Sequence, residues 1–184
     1  MLFRSSSDGV ITISSHDSTK KNITCIVINS RFVNSSASPS SWLNPGGTIV
    51  LIDDSNSLNT NIYGTVINST FINSSVNCHS EGYDDFFGNG GAIFFGAKHY
   101  NAKGNVINST FINSSVNNEK YYNNNYGCGN GGAIYIQNGN VTNCTFINSS
   151  VNAVNGSHYS YGGGAIQPVY WFCLKLPAFL IHRP

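Results

Sequence analysis

Side chains able to move protons, hold a metal or attack an electrophile are few in this 184-residue chain, and their spacing limits what they can do. Five of the eight Asp and Glu fall in two clusters, Asp53 with Asp54 and Glu81 with Asp84 and Asp85. Paired carboxylates cleave glycosidic bonds when held about 5 to 9.5 Å apart, and a calcium-assisted lyase needs several oxygens around one ion. Adjacent residues on an extended strand point to opposite faces, so Asp53 and Asp54 make a poor pair, and the bland reading of both clusters is solvated loop carboxylates. His16, His79, His99, His158 and His182 share no phase, and no Ser/His/Asp arrangement can be placed by spacing. Cys25, Cys78, Cys128, Cys144 and Cys173 include no C-x-x-C pair and no histidine at ligand spacing, so no metal site and no cofactor is expected.

Aromatic and polar loop residues carry the stronger signal. Tyr83, Asp84, Asp85, Tyr121, Tyr122, Tyr126, Tyr159 and Tyr161 fall in pieces of sequence that share almost nothing with one another. Tyrosine faces stack on sugar rings while polar tips hydrogen-bond, which is the chemistry of a glycan- or protein-binding face. The competing reading is that these rings pack on one another to cover a core. Ten N-x-S/T sequons occur, at Asn22, Asn34, Asn68, Asn73, Asn108, Asn113, Asn140, Asn143, Asn148 and Asn155. Several sit where a turn already accounts for the asparagine, so modification at all ten is not expected.

The elements that position these residues are legible as a repeat. VINSTFINSSVN stands at 66–77 and again, unchanged, at 106–117, with VTNCTFINSSVN at 141–152 and a looser VINSRFVNSS at 27–36. Their phenylalanines, Phe32, Phe71, Phe111 and Phe146, are 39, 40 and 35 residues apart. In phase with them run GGTIV at 46–50, GGAIFF at 90–95, GGAIYI at 131–136 and GGAI at 163–166. Short segments of Val, Ile, Thr and Phe bounded by Gly or Asn are strand and turn chemistry. Identical strands recurring along a chain stack parallel, like side chain on like, as a β-solenoid. Alternation puts Phe71 on the face of Ser69, Phe111 with Ser109 and Phe146 with Cys144, and the small partner points that face inward. Asn68, Asn108 and Asn143 fall at bends, where asparagine tolerates left-handed dihedrals, and their amides are expected to form a ladder. About four coils give a length of roughly 20 Å at about 4.8 Å per strand.

Composition agrees and removes whole classes of function. Only 9% of the residues are charged and the formal charge is +1, so there is no basic field for a nucleic acid. The place of charge is taken by 27 Asn, 25 Ser and 19 Gly, while 40% is hydrophobic, which is not the composition of a disordered tail. The apolar stretch 168–181 is shorter than the roughly 20 residues of a spanning helix and holds Lys175 and Pro177, so no membrane-spanning segment is expected. The opening MLFRSSSDGVITISS has no apolar run of signal-peptide length.

GGAI followed by F-x-N resembles the repeats of the chlamydial polymorphic outer-membrane proteins. The full phrase, with N-C-T-F-I-N-S at 143–149, most resembles the Asn-rich adhesin-like surface proteins of methanogenic archaea. In this chain Asn73, Asn113 and Asn148 stand two residues after the phenylalanine, where the chlamydial pattern has its asparagine third. The resemblance covers residues 22–166 and implies an all-β fold, a right-handed parallel β-helix displayed at the cell surface, binding surface glycans or proteins of another cell through its loops. It also implies a longer, exported parent, of which this chain is expected to be a fragment. Residues 1–21 are read as a lead-in with a first strand, 22–166 as the β-helix, and 167–184 as an apolar tail that either covers the last coil through Trp171 and Phe172 or is an accidental extension. A solenoid left uncovered exposes strand edges at its ends, which gives end-to-end self-association. A β-helical polysaccharide lyase or hydrolase and a purely structural stalk stay open as other readings of the same repeat.

Overall fold

The computed structural model describes residues 10–15, 22–38, 47–53, 60–78, 90–97, 101–118, 131–153, 164–168 and 179–181. Every element in it is a strand. The first repeat supplies β1 (Ile11–Ser15), β2 (Asn22–Ile28), β3 (Arg31–Val33) and β4 (Ser36–Ala37). The second supplies β5 (Ile49–Asp53), β6 (Asn61–Ile67), β7 (Thr70–Ile72) and β8 (Ser75–Cys78), and the third β9 (Ile93–Ala97), β10 (Ala102–Ile107), β11 (Thr110–Ile112) and β12 (Ser115–Asn118). From the fourth come β13 (Ile134–Ile136), β14 (Asn138–Thr142), β15 (Thr145–Ile147) and β16 (Ser150–Ala153), followed by β17 (Ile166–Pro168) and β18 (Phe179–Ile181). No helix among the described residues is long and apolar enough to cross a membrane.

Each repeat gives one strand to each of four parallel sheets. The first sheet runs β1-β5-β9-β13-β17, the second β2-β6-β10-β14, the third β3-β7-β11-β15-β18 and the fourth β4-β8-β12-β16. Pairing is in register, so Val66 meets Val106 and Val106 meets Val141, while Phe71 lies between Phe32 and Phe111. This is the all-β parallel stack that identical repeats demand, because a slip by one residue would turn every core side chain to solvent.

The core is built from columns. Phe32, Phe71, Phe111 and Phe146 are buried, with ring centroids 4.9, 4.9 and 5.0 Å apart and nearly parallel planes. Beside them Ser69, Ser109 and Cys144 face inward. The serines knit the repeats together: Ser30 N–H donates to Ser69 Oγ at 3.2 Å and Ser69 N–H to Ser109 Oγ at 3.1 Å, while each hydroxyl donates to the carbonyl two residues earlier. Cys144 keeps that last bond through Sγ to Thr142 O at 3.4 Å.

Two bends per repeat separate the second, third and fourth sheets, and at each an asparagine takes a positive φ: Asn68 at 49°, Asn73 at 53° and their equivalents within a few degrees. The expected amide ladder lies at the second bend and beyond it, not at Asn68, Asn108 and Asn143. Asn148 donates to Asn113, Asn113 to Asn73 and Asn73 to Asn34 at 3.2, 2.9 and 2.8 Å, and Asn152, Asn117 and Asn77 form a second ladder. The reason is local. At the first bend the following serine already ties one repeat to the next, whereas after Asn73 the Ser74 hydroxyl is turned to accept from Thr48 Oγ1 at 3.0 Å, leaving the asparagine amide to make the tie.

The first sheet departs from the half-buried pattern. Ile49, Leu51, Ile93 and Phe95 face the core, and Val50, Ile52, Phe94 and Tyr135 form a second apolar stack on its other face, the Phe94 and Tyr135 rings 4.9 Å apart. Both faces are buried, as the unbroken apolar runs TIVLI and AIFF require.

Burial pushes the Cys144 thiol above its ordinary pKa, offset in part by hydrogen bonds to the backbone of Ser109 and Thr142. Little thiolate forms near pH 8, and the residue is only 2% exposed. Alkylation of native Cys144 is expected to be about a thousandfold slower than in the unfolded chain, since it waits on opening. The half-buried Cys25 is expected to react before Cys144. Peptide mapping of alkylated protein checks both, and rapid native labelling of Cys144 would place its column outside the core. Cys144→Ser is expected to unfold within about 1 kcal/mol of the parent, because the new hydroxyl joins the Ser69 and Ser109 column.

Candidate functional site

The tyrosines and acids singled out from the sequence all belong to one kind of connection. Tyr83, Asp84 and Asp85 lie between β8 and β9, Tyr121, Tyr122 and Tyr126 between β12 and β13, and Tyr159 and Tyr161 between β16 and β17. Each of those connections leaves the fourth sheet and returns to the first. The residues themselves lie outside the described part of the structure, as do Glu81, Asp54, Trp171, Phe172 and the five histidines. What is fixed is where their connections are rooted: on successive rungs, about 4.8 Å apart, along a single edge of the stack.

That edge is held by the glycine pairs. A Cβ on Gly132 would stand 2.2 Å from Gly164 O and 2.3 Å from Ser150 O, and one on Gly91 would meet Gly132 O and Ser115 O at 2.2 and 2.5 Å. The start of the first sheet thus backs onto the start of the fourth, backbone against backbone, with room for hydrogen only. Gly90 and Gly131, just before, have φ of 67° and 62°, which lets the returning chain turn sharply into β9 and β13.

Asp53 is the one member of the acidic clusters within the described residues. It ends β5, is 1% exposed, and by alternation shares the core-facing side of Ile49 and Leu51, paired in the ladder with Ser15 and Ala97. A carboxylate so placed cannot reach a polysaccharide without the sheet opening, and it is a core residue, not the solvated loop carboxylate its sequence neighbourhood suggested. Among the described residues no three His, Cys, Asp or Glu side chains gather where a metal ion could be held.

Six of the sequon asparagines bond a neighbouring repeat through their side chains, the first being Asn22, which accepts from Asn61 at 3.2 Å. Asn34 accepts and Asn73, Asn113 and Asn148 both span the bend and donate through Nδ2 in the ladder; Asn140 donates to Asn105 at 3.2 Å. Two buried features were missed by sequence reasoning. One is the outer stack of Val50, Ile52, Phe94 and Tyr135, whose signal was the absence of polar alternation in those strands. The other is Gln137, which is fully buried and bonds the backbone of Ala97 twice, accepting from its N–H at 2.8 Å and donating to its carbonyl at 2.7 Å. Nothing in the spacing of Gln137 marks it from sequence, because its role depends on a neighbouring repeat being longer.

The chain matches no family model, no curated protein and no solved structure.

Proposed function

We propose that this chain is a non-enzymatic, adhesin-like cell-surface module, a right-handed parallel β-helix of about four coils that binds glycan or protein through its loop edge. The observation that carries the reading is the rooting of every candidate tyrosine in a connection from the fourth sheet to the first, so that three dissimilar aromatic segments share one edge of a regular scaffold. A constant framework with variable, aromatic-rich connections is the division of labour expected of a recognition protein. Right-handed winding follows from the strong bias of parallel crossovers, about 98% of which have that hand. Display at a cell surface rests on the likeness of the GGAI and N-C-T-F-I-N-S motifs to adhesin-like surface proteins. Against glycan cleavage stands the burial of Asp53, which withdraws one candidate carboxylate from substrate.

The test is binding to a printed array of microbial, plant and animal glycans and surface proteins. Joint replacement Tyr121→Ser, Tyr122→Ser and Tyr126→Ser is expected to weaken the strongest signal about tenfold or more, the loss of roughly 1.4 kcal/mol of contact, with thermal unfolding unchanged. Glu81→Gln, at the one acid of that cluster not counted in the binding face, is expected to leave binding within about twofold, whereas a lyase relying on it would lose turnover. A parent chain that binds nothing on the array while holding its fold overturns the reading in favour of a stalk.

A further inference from the structure

The fold divides the ten sequons. Six of their asparagines are tied to a neighbouring repeat through their side chains, and Asn155 lies outside the described residues. The other three, Asn68, Asn108 and Asn143, stand at the first bend of successive repeats. Each is exposed, and none makes a side-chain hydrogen bond within the described residues. Their backbone is committed all the same: Asn68 N–H donates to Ile107 O and Asn108 N–H to Thr142 O, both at 3.0 Å, so the bend is held while the amide is left over. The middle residue of each sequon, Ser69, Ser109 or Cys144, faces the core, and the following Thr70, Thr110 or Thr145 is on the outer side with the asparagine.

At the second bend the same phrase offers another sequon, and this one is not free. Asn73, Asn113 and Asn148 take the same left-handed bend, yet each Nδ2 lies 2.8 to 3.2 Å from the Oδ1 of the repeat before. A sugar on that nitrogen replaces one of its two hydrogens and sets a ring among amides on rungs about 4.8 Å apart, so the amide has to leave its ladder. Asn73 and Asn113 also accept from the repeat after, so one glycan there undoes two ties.

We propose that Asn68, Asn108 and Asn143 form a column of N-linked glycosylation sites, and that the fold excludes glycan from Asn73, Asn113 and Asn148. The donor is a lipid-linked oligosaccharide phosphate of an export pathway. Asparagine Nδ2 forms a bond to C1 of the donor sugar, the C1–O bond breaks, the lipid phosphate leaves with the bonding pair, and the amide gives up one hydrogen as a proton. Transfer takes place on the unfolded chain, where every sequon is open, and folding then keeps the chains whose sugars lie outside the ladders. Asn68 and Asn143 are two rungs apart, roughly 10 Å, and are filled together more readily than either is with Asn108 between them. The column stands between the second and third sheets, while the candidate binding connections run from the fourth sheet to the first, so sugar here leaves the loop edge bare. The proposal rests on the surface reading only for the chain's passage through such a pathway.

The full chain is placed behind an export signal in a host that glycosylates exported proteins, and the secreted, folded protein is mapped by glycopeptide mass spectrometry. Glycan is expected at Asn68, Asn108 and Asn143, with occupancy at Asn73, Asn113 and Asn148 at least tenfold lower. Two effects of sequence alone give a similar pattern: threonine in the third position is a better acceptor than serine, and a filled site just upstream hinders the next. Thr110→Val with Ser115→Thr removes both, deleting the sequon at Asn108 and giving Asn113 the tripeptide that Asn108 had. Asn113 is still expected to stay at least tenfold below Asn68. Should that variant not be secreted, Thr70→Ser keeps an outward hydroxyl and makes the sequons at Asn68 and Asn73 the same tripeptide, and Asn68 is expected to remain at least tenfold above Asn73. A secreted, folded chain without glycan at any of the three bend positions overturns the proposal, and so does glycan on Asn113 of the paired variant, or on Asn73 of the single one, at the level of Asn68. Neither result touches the binding reading, whose array is run on sugar-free chain from a host lacking the pathway.

Discussion

Phe111→Ala is expected to lower the unfolding free energy by about 3 to 5 kcal/mol, the range for deleting a buried ring that its surroundings cannot replace. Phe111 is 0% exposed and has a parallel ring on each side, Phe71 at 4.9 Å and Phe146 at 5.0 Å. Collapse into the space is opposed by the strands themselves, which are pinned by ladder bonds to β7 and β15 and cannot close on the gap without losing register. Phe32→Ala, in the same column and equally unexposed, is expected to cost about as much. Urea unfolding of both variants against the parent measures the difference, with the slope unchanged if the same surface is exposed. A cost below about 1 kcal/mol for Phe111→Ala, the range of surface changes, would mean the column is not the core.

The second large effect is expected at a residue with no side chain. Gly132→Ala places a methyl group 2.2 Å from one carbonyl oxygen and 2.3 Å from another, both backbone. Neither can give way without parting the first sheet from the fourth, so the cost is expected at about 3 kcal/mol or more, the upper part of the overpacking range. The same substitution in the next glycine pair has the opposite expectation. Among the described residues a Cβ on Gly164 finds nothing nearer than Ser149 O at 3.8 Å, and no positive φ is involved, so Gly164→Ala is expected to be neutral or to stabilise by up to about 1 kcal/mol by restricting the unfolded chain. Thermal melts of the two variants side by side distinguish a corner that needs glycine from a glycine that merely recurs. Equal, small effects would show that the edge carrying the loops is looser than its geometry.

The phenylalanine column, the inward Ser69, Ser109 and Cys144 and the bends at Asn68, Asn108 and Asn143 were legible in the sequence for one reason. Near-identical segments recur in phase, so period-2 alternation in one copy is checked by the others. The ladder at Asn73, Asn113 and Asn148 was not, because both asparagines of each INSTFINSS phrase take the same left-handed bend and only the partner of the neighbouring serine distinguishes them. Asp53 was misread for a related reason. Its neighbour Asp54 suggests a polar loop, yet the preceding IVLI carries β5 one residue further and seals the first carboxylate inside. The acids and tyrosines of the variable segments occur once each, without a second copy to compare, so sequence could assign them to an edge and no further.

Gln137 shows how the scaffold tolerates a change of length. Ile93 and Ile134 are 41 positions apart (134 − 93), while Gly104 and Gly139 are 35 apart (139 − 104), so the fourth repeat has lost six residues between its first and second strands. A single carboxamide fills the place of the missing backbone, offering Ala97 the same donor and acceptor that a strand residue would. Deletion and insertion at this connection are therefore cheap, while the phrase from β14 to β16 admits none, since one extra residue there would break four columns together. Genes of this kind would accumulate length variation in a patterned way, gaps tolerated between the first two strands and between the last strand and the next glycine pair, and purged from the span between. The span 66–77 and its copy 106–117 are equal in length and pair residue for residue, as that geometry requires.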